Sequence, residues 1–376
     1  MKQTIFDELF VLEVANNHWG RLDRGLKIIA DFADVVRHHG VRAAIKLQFR
    51  DVSSFIHRQH RDRHDVRYIK KVGDTELSWD ELRQLVEAIR AAGMLAMATP
   101  FDEISVDKCV EFDLEILKIA SSDIRDRVLL EKIAATGRPT IASSGGASMA
   151  DLDHLVDFFA ERQIPFALNH CVSIYPSQDW ELELNQIDFL KARYPDTVIG
   201  YSTHEMTDWS TSVVIAYAKG ARTFERHIDI DFEGVPVSPY CTLPHQADVW
   251  FRAFLKAREM CGAEGSGRRT LPEKEIRYLD QLVRGVYAKR DLDAHHVLTE
   301  DDVYFAVPLV HGQISVREFT GGEILKSAIG KDQPVRVREI DSDYANDLVL
   351  QRLIDERGVP RAPIVGPGEL KRAGSH

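Results

Sequence analysis

The sequence predicts a (β/α)8 TIM barrel followed by a small, mostly β domain. Three observations predict it. Eight short apolar runs recur along residues 1–230. Helical patterns lie between them at a period of roughly 30 residues, the spacing of a barrel of about 250 residues. Past a Gly-rich stretch at residues 262–269 the helical period gives way to short runs and turns.

The eight runs are Phe10 to Ala15, Ala43 to Phe49, Met94 to Thr99, Ile116 to Ser121, Thr140 to Ser143, Phe166 to Cys171, Thr197 to Tyr201 and Ala221 to Glu225. Each is too short for a helix and is bounded by Gly, Pro or charge, so each reads as a buried strand. Helices are expected over Arg21 to His39, Trp79 to Ala92 with Ser78 as N-cap, Asp151 to Arg162 and Trp209 to Lys219. A last helix, Gln246 to Cys261, closes the barrel. Asp51 to Gly73 is a basic, His-rich insertion after the second strand. The expected boundaries are a barrel over 1–262, a linker over 263–282, a β domain over 283–340 and a tail over 341–376. Within these, Leu271 to Leu282 reads as helix, Val286 to Leu292 and Val297 to Val303 as strands, and Ala345 to Glu356 as a helical run in the tail.

Composition narrows the function. The chain has 376 residues, 44% hydrophobic and 28% charged, enough for one large core and one small one. A formal net charge of −11 argues against a general nucleic-acid or anionic-membrane surface. It leaves room for an anionic substrate in a cleft with a few basic groups. Cys109, Cys171, Cys241 and Cys261 are scattered with no CxxC pair, so neither a zinc cage nor a disulfide framework is indicated, and a reducing cytoplasm is expected. The N-terminal residues carry acids and no signal-like apolar segment, and no run is long enough to span a bilayer.

The polar residues at the strand ends carry the chemistry. They are Glu13, Lys46 and Gln48, Thr99, Lys118 and Ser121, Ser143, Asn169 and His170, Ser202 and His204, and Glu225 and His227. In a barrel these positions converge on the carboxyl-end face, where active sites form. A lysine inside an apolar strand is costly to bury without an anionic partner, so Lys46 and Lys118 argue for a bound anion. Hydroxyls at Ser121, Ser143 and Ser202, with the amides of Ser144-Gly145-Gly146, suit phosphate or carboxylate oxygens. His204 and His227 follow successive strands and can converge on a divalent metal while leaving its other positions open. Any one of these groups alone reads equally well as a structural hydrogen bond at the rim; eight strand ends in agreement do not.

These residues resemble those of the sialic acid (N-acetylneuraminate) synthase family. The likeness rests on Glu13-Val14-Ala15-Asn16-Asn17-His18, Ile45-Lys46-Leu47-Gln48, Thr99-Pro100-Phe101-Asp102 and Lys118-Ile119-Ala120-Ser121. It continues in order through Ser143-Ser144-Gly145, His170 to Pro176, Gly200 to His204 and Glu225-Arg226-His227. Residues 284–328 resemble that family's antifreeze-like (SAF) domain. The resemblance implies condensation of phosphoenolpyruvate with an aldose such as N-acetylmannosamine, giving a nonulosonic 2-keto-3-deoxy sugar acid and phosphate. It implies Mn²⁺, or Mg²⁺ or Co²⁺, held by His204 and His227. It assigns phosphoenolpyruvate to Lys46, Thr99, Lys118, Ser121, Ser143, Ser173 and Ser202, acid roles to Glu13 and Asp123, and the sugar to Tyr175. It also implies a homodimer with the small domain over the partner's barrel mouth.

The departures fall on the sugar side. Where the family has a Gly-Pro-Asp-His segment, this chain has Glu233 to Tyr240 without the Asp. Val307-Pro308 stands where the family often has Arg-Pro, and Trp19 replaces the usual Asn. An acceptor other than plain N-acetylmannosamine is therefore expected. Either an apolar wall at Val235 to Pro239, joined by Trp19, meets a less hydroxylated sugar, or the basic stretch His57 to Lys71 meets an anionic one. Alternatives to the synthase are an enzyme making another 3-deoxy-ulosonic acid, a pyruvate aldolase with Lys118 as Schiff-base lysine, and a non-catalytic sugar-binding relative.

Overall fold

A strand places alternate side chains on opposite faces, and this chain uses the two faces differently. On the first strand, β1 (Leu9–Ala15), Phe10, Leu12 and Val14 join the main core, while Leu9 and Val11 join a separate apolar cluster. That second cluster also takes Ala44, Met97, Ile116, Ile141 and Ala167, one from each of the next five strands. It is the floor of a closed barrel. The computed structural model describes residues 4–262 and 269–360.

The other strands are β2 (Arg42–Phe49), β3 (Leu95–Pro100), β4 (Ile116–Ile119), β5 (Thr140–Ser143), β6 (Phe166–Cys171), β7 (Val198–Thr203) and β8 (Thr223–His227). All pair in parallel, in chain order, and β8 returns to β1. This is the expected (β/α)8 barrel. β7 and β8 run two residues past the apolar runs, because Ser202-Thr203 and Arg226-His227 stay in register with their neighbours. His227 thus lies inside the ladder opposite Glu13, and His204 lies one residue beyond β7.

Helices α1 (Leu22–His39), α4 (Trp79–Ala91), α7 (Met149–Glu161), α9 (Thr211–Ala218) and α10 (Pro244–Cys261) sit where the sequence places them. Ser78 caps α4 in a capping box with Glu81. The insertion after β2 holds the short helices α2 (Val52–Phe55) and α3 (Arg67–Asp74). The ring is completed by α5 (Glu103–Glu111), α6 (Arg127–Ala134) and α8 (Asn185–Arg193), each no longer than nine residues and too short for a period to stand out in sequence. α10 closes the barrel on β1. Phe10 meets Trp250, Phe251 and Phe254 edge-on at centroid distances of 4.7–4.9 Å, the geometry aromatic quadrupoles favour.

The chain divides after Gly262. Residues 263–268 of the expected linker lie outside the described residues. The second unit begins with α11 (Glu273–Asp280) and is built on two small antiparallel pairs, β9 (Gly285–Ala288) with β10 (Val303–Ala306) and β11 (Ile324–Leu325) with β12 (Ile340–Asp341). Val286, Leu298, Val303, Ile314 and Leu325 form its core with residues from the turns. The strand expected over 297–303 survives only as a bridge from Val297 to Ile324 and the start of β10. The helical run after 340 breaks at Asp347 into α12 (Asp343–Asn346) and α13 (Leu348–Asp355), since the Asp347 carboxylate caps α13. Ala345 and Ile354 from these helices belong to the same small core.

Candidate active site

One step above the apolar floor, the inward positions turn polar. Glu13 follows Leu9 and Val11, Lys46 and Gln48 follow Ala44, Thr99 follows Met97, Lys118 follows Ile116, and Ser143 follows Ile141. Strand alternation alone therefore lifts them together to the carboxyl-end mouth. They line a cavity of about 570 Å³.

Four charges form its base. Lys46 Nζ lies 2.5 Å from Glu13 Oε2 and 2.7 Å from Glu225 Oε1. Lys118 Nζ lies 2.9 Å from Glu225 Oε2 and donates to Ser143 Oγ at 2.6 Å. All four side chains are buried. Burial alone would raise the Glu225 carboxyl, but the Lys118 and Lys46 charges outweigh it and hold the group well below the usual carboxylate range. Glu13 Oε1 accepts from the Ala15 amide at 2.7 Å, while its Oε2 meets Lys46 as an ion pair without hydrogen-bond geometry. The amide contact exists because the β1–β2 ladder shifts between Glu13 and Ala15, and Ala15 turns to φ +49°. A bulge at a barrel rim re-aims a side chain in this way.

Two loop-end hydroxyls gather around Gly145. A side-chain carbon there would stand 2.1 Å from Ser173 Oγ and 2.8 Å from Ser121 Oγ. Only the missing side chain lets both hydroxyls and the Ser143 end of β5 share the space.

The two histidines stand side by side, ring centroids 5.4 Å apart. His204 Nδ1 faces the Val172 carbonyl at 2.9 Å, which sets that nitrogen as the donor and leaves Nε2 as a lone-pair ligand. Burial drives His204 down to about 4 and His227 well below the usual imidazole range, so both are neutral at pH 7. Tyr175 packs on His204 at 3.9 Å and Tyr240 on His227 at 5.2 Å. Buried ion pairs fix the backbone beside them. Arg226 bonds Glu205 through both its carboxylate and its carbonyl, tying the residue after His204 to the residue before His227. Arg24 pairs with Asp229 at 2.6 Å, and its Nε donates to the Asn17 carbonyl.

Eleven of the twelve predicted site residues line this cavity: Glu13, Lys46, Thr99, Lys118, Ser121, Ser143, Ser173, Tyr175, Ser202, His204 and His227. Asp123 does not; it sits half-buried in the turn after β4, its carboxyl raised by burial. Val235 to Pro239 and Trp19 are absent from the lining, so neither supplies the expected apolar wall. Asn16, Asn17, Arg50, Phe101 and Tyr240, assigned no role above, also line it, and so do Tyr68 and Lys71 from the basic insertion. The basic character of the insertion was the available signal for the last two.

A parallel barrel whose mouth holds a lysine–glutamate quartet, a hydroxyl cradle and two neutral histidines defines a barrel enzyme that handles anions. A family model described as the NeuB family matches residues 34–237. The chain belongs to the NeuB family. It is 35% identical to a putative spore coat polysaccharide biosynthesis protein E from Chromobacterium violaceum, whose crystal structure it matches with a TM-score of 0.85 over 89% of this chain and 100% of that one. It is 27% identical to human N-acetylneuraminate-9-phosphate synthase over 93% of each chain. It is 26% identical to a pseudaminic acid synthase of Campylobacter jejuni over 78% of this chain and 85% of that protein.

Proposed function

We propose that the protein condenses phosphoenolpyruvate with an aldose, giving a nonulosonic 2-keto-3-deoxy sugar acid and phosphate. The observation that carries this reading is the quartet Glu13–Lys46–Glu225–Lys118 set between the serine cradle and the histidine pair. The synthases named among its relatives support it.

In this reading Lys46 and Lys118, with Thr99, Ser121, Ser143, Ser173 and Ser202, bind the carboxylate and phosphate of the donor through charge-assisted hydrogen bonds. The cradle at Gly145 holds the hydroxyls before the donor arrives, so little ordering remains at the moment of reaction. The histidines fit a divalent ion such as Mn²⁺, Mg²⁺ or Co²⁺: both are neutral, and the Nδ1 of His204 is held by a carbonyl. Among the described residues no third His, Cys, Asp or Glu completes a three-donor group with them. When bound, such an ion supplies Lewis-acid polarisation of a carbonyl oxygen. The methylene carbon of the donor bonds to the aldehyde carbon, using the enol π pair. Water adds to the carbon bearing phosphate, one of its protons passing through Glu13 to the former aldehyde oxygen, which becomes a hydroxyl; the bond from that carbon to the phosphate oxygen then breaks as the remaining hydroxyl proton leaves with the phosphate, and the keto group forms. Tyr175 and Tyr240 border the space left for the acceptor.

A Schiff-base aldolase is disfavoured because Lys118 is committed to Glu225 and Ser143. The four cysteines are free, in keeping with the cytoplasmic setting proposed for the enzyme, and among the described residues no helix is long and apolar enough to cross a membrane. The small β unit is proposed to be an antifreeze-like domain, and the protein a homodimer, which light scattering measures directly.

The deciding experiment is phosphate release from phosphoenolpyruvate with Mn²⁺ across a panel including N-acetylmannosamine, mannose and 6-deoxy diacetamido sugars. Release that needs both donor and aldose is expected. No release with any aldose, or equal turnover of free pyruvate, overturns the reading.

A further inference from the structure

Away from the barrel mouth, two consecutive histidines end α1. His38 is exposed, while His39 turns inward, its ring 5.8 Å from that of Phe251 on α10. The two imidazoles stand edge to face with centroids 4.8 Å apart. His39 Nε2 lies 2.8 Å from Asp248 Oδ1, also on α10. The other oxygen of that carboxylate, Oδ2, is held by Arg252 one turn further on, at 2.7 Å. The hydrogen bond with His39 keeps the Asp248 carboxyl below its ordinary range, so it is charged at neutral pH. None of these residues lines the active cavity.

Two imidazoles and a carboxylate are the donor set of a zinc site. One ligand atom from each of His38, His39 and Asp248 lies within 4.8 Å of the others. Donors bound at about 2.0–2.1 Å to a tetrahedral ion stand about 3.3 Å apart. The His39–Asp248 edge is already close to that size, and the exposed His38 ring has room to turn onto the third corner. Arg252 occupies the carboxylate oxygen that the ion does not need, the place of an outer partner that orients a ligand. The helix adds to this. His38 and His39 are the last two residues of α1 before Gly40, so they sit at its carbonyl end, where the helix dipole favours a cation.

We propose that His38, His39 and Asp248 bind Zn²⁺, with water at its fourth position. The ion clips α1, the first long helix of the barrel, to α10, the helix that closes it. His39 and Asp248 are 209 residues apart in the chain, so unfolding separates the ligands and zinc stabilises the folded state by mass action. An imidazole-rich site of this kind takes Zn²⁺ far more tightly than Mn²⁺. The site is independent of what the barrel mouth catalyses.

The test is calorimetric titration of Zn²⁺ into the full chain carrying His204→Ala and His227→Ala, which removes the ligands proposed at the mouth. One zinc per chain is expected, and the melting temperature should rise as zinc is added. Adding His38→Gln or Asp248→Asn to that chain should weaken zinc binding at least about tenfold and remove the rise. Both side chains reach the surface, so the fold is kept, which circular dichroism checks. A second arm needs no change at the mouth: His38→Gln alone should lower the zinc bound by one per chain and leave Mn²⁺-dependent phosphate release as in wild type. This arm decides the matter if the chain altered at the mouth does not fold. A folded mouth variant that binds no zinc, or zinc binding that His38→Gln and Asp248→Asn both leave unaltered, overturns the proposal.

Discussion

Gly145 shows how little freedom single positions have at the mouth. A methyl group there would collide with the Ser173 and Ser121 hydroxyls. Gly145→Ala should raise the KM for phosphoenolpyruvate at least tenfold while the melting temperature stays close to wild type, because the clash falls on loop side chains and leaves the core untouched. An unchanged KM would separate this cradle from donor binding. The histidine pair has a different signature. His204→Ala and His227→Ala should each abolish saturable Mn²⁺ binding in calorimetry with the circular dichroism spectrum retained. Tight Mn²⁺ binding by either variant would rule out the pair as ligands. Most of these residues were readable in the sequence, since a charge or hydroxyl at the end of an apolar strand in a barrel has one place to go. Arg50 was not, and Tyr68 and Lys71 were signalled only through the basic stretch that carries them, because the path of an insertion across the mouth is set by packing and not by strand alternation. Asp123 erred the other way: it lies in a turn, where alternation fixes no direction for its side chain.

At the level of elements, β7 bends its rules at Gly200. Neighbouring Asn169 of β6 and Thr223 of β8 share a hydrogen bond of 2.5 Å across the place where a side chain would project. A carbon on Gly200 would fall 1.8 Å from Thr223 Oγ1 and 2.2 Å from Asn169 Oδ1. Gly200→Ala should therefore cost about 2–4 kcal/mol, from overpacking plus two buried polar groups forced apart. A urea midpoint within error of wild type would contradict this. The eight strands and the long helices were legible because their apolar periods are long enough to read. The small unit was less so: strands of two to four residues carry no period, and its core draws on turn residues such as Ile314 and Ile329.

For the whole molecule, the buried imidazoles set the response to acid. His18 and His204 are both driven down to about 4 by burial, and the backbone amide of Gly20 donates to His18 Nδ1. Unfolded, each would bind a proton near its ordinary value of 6.5. Between pH 6.5 and 4 the unfolded chain therefore holds more protons than the folded one, so stability falls as pH falls through that window. The loss is on the order of 3 kcal/mol for each histidine. Melting temperature recorded against pH in EDTA should drop over this range. His18→Asn, which keeps an acceptor for Gly20, should flatten part of the decline; an unaltered slope would remove His18 from the account.

The apolar floor has a kinetic meaning. Leu9, Val11, Ala44, Met97, Ile116, Ile141 and Ala167 seal the barrel from below, so among the described residues the cavity is closed at its floor and opens toward the carboxyl-end mouth. The anion groove of Lys118 and Ser143 lies at its blind end, and the tyrosines, Arg50 and Lys71 stand at its doorway. Whatever occupies the doorway bars traffic to the end. The donor must then enter first, and an acceptor that arrives early makes a dead-end complex. Initial-rate studies should show an ordered sequential mechanism, with excess aldose inhibiting competitively against phosphoenolpyruvate. A random mechanism, with either substrate free to bind first, would mean that the cavity has a second way in.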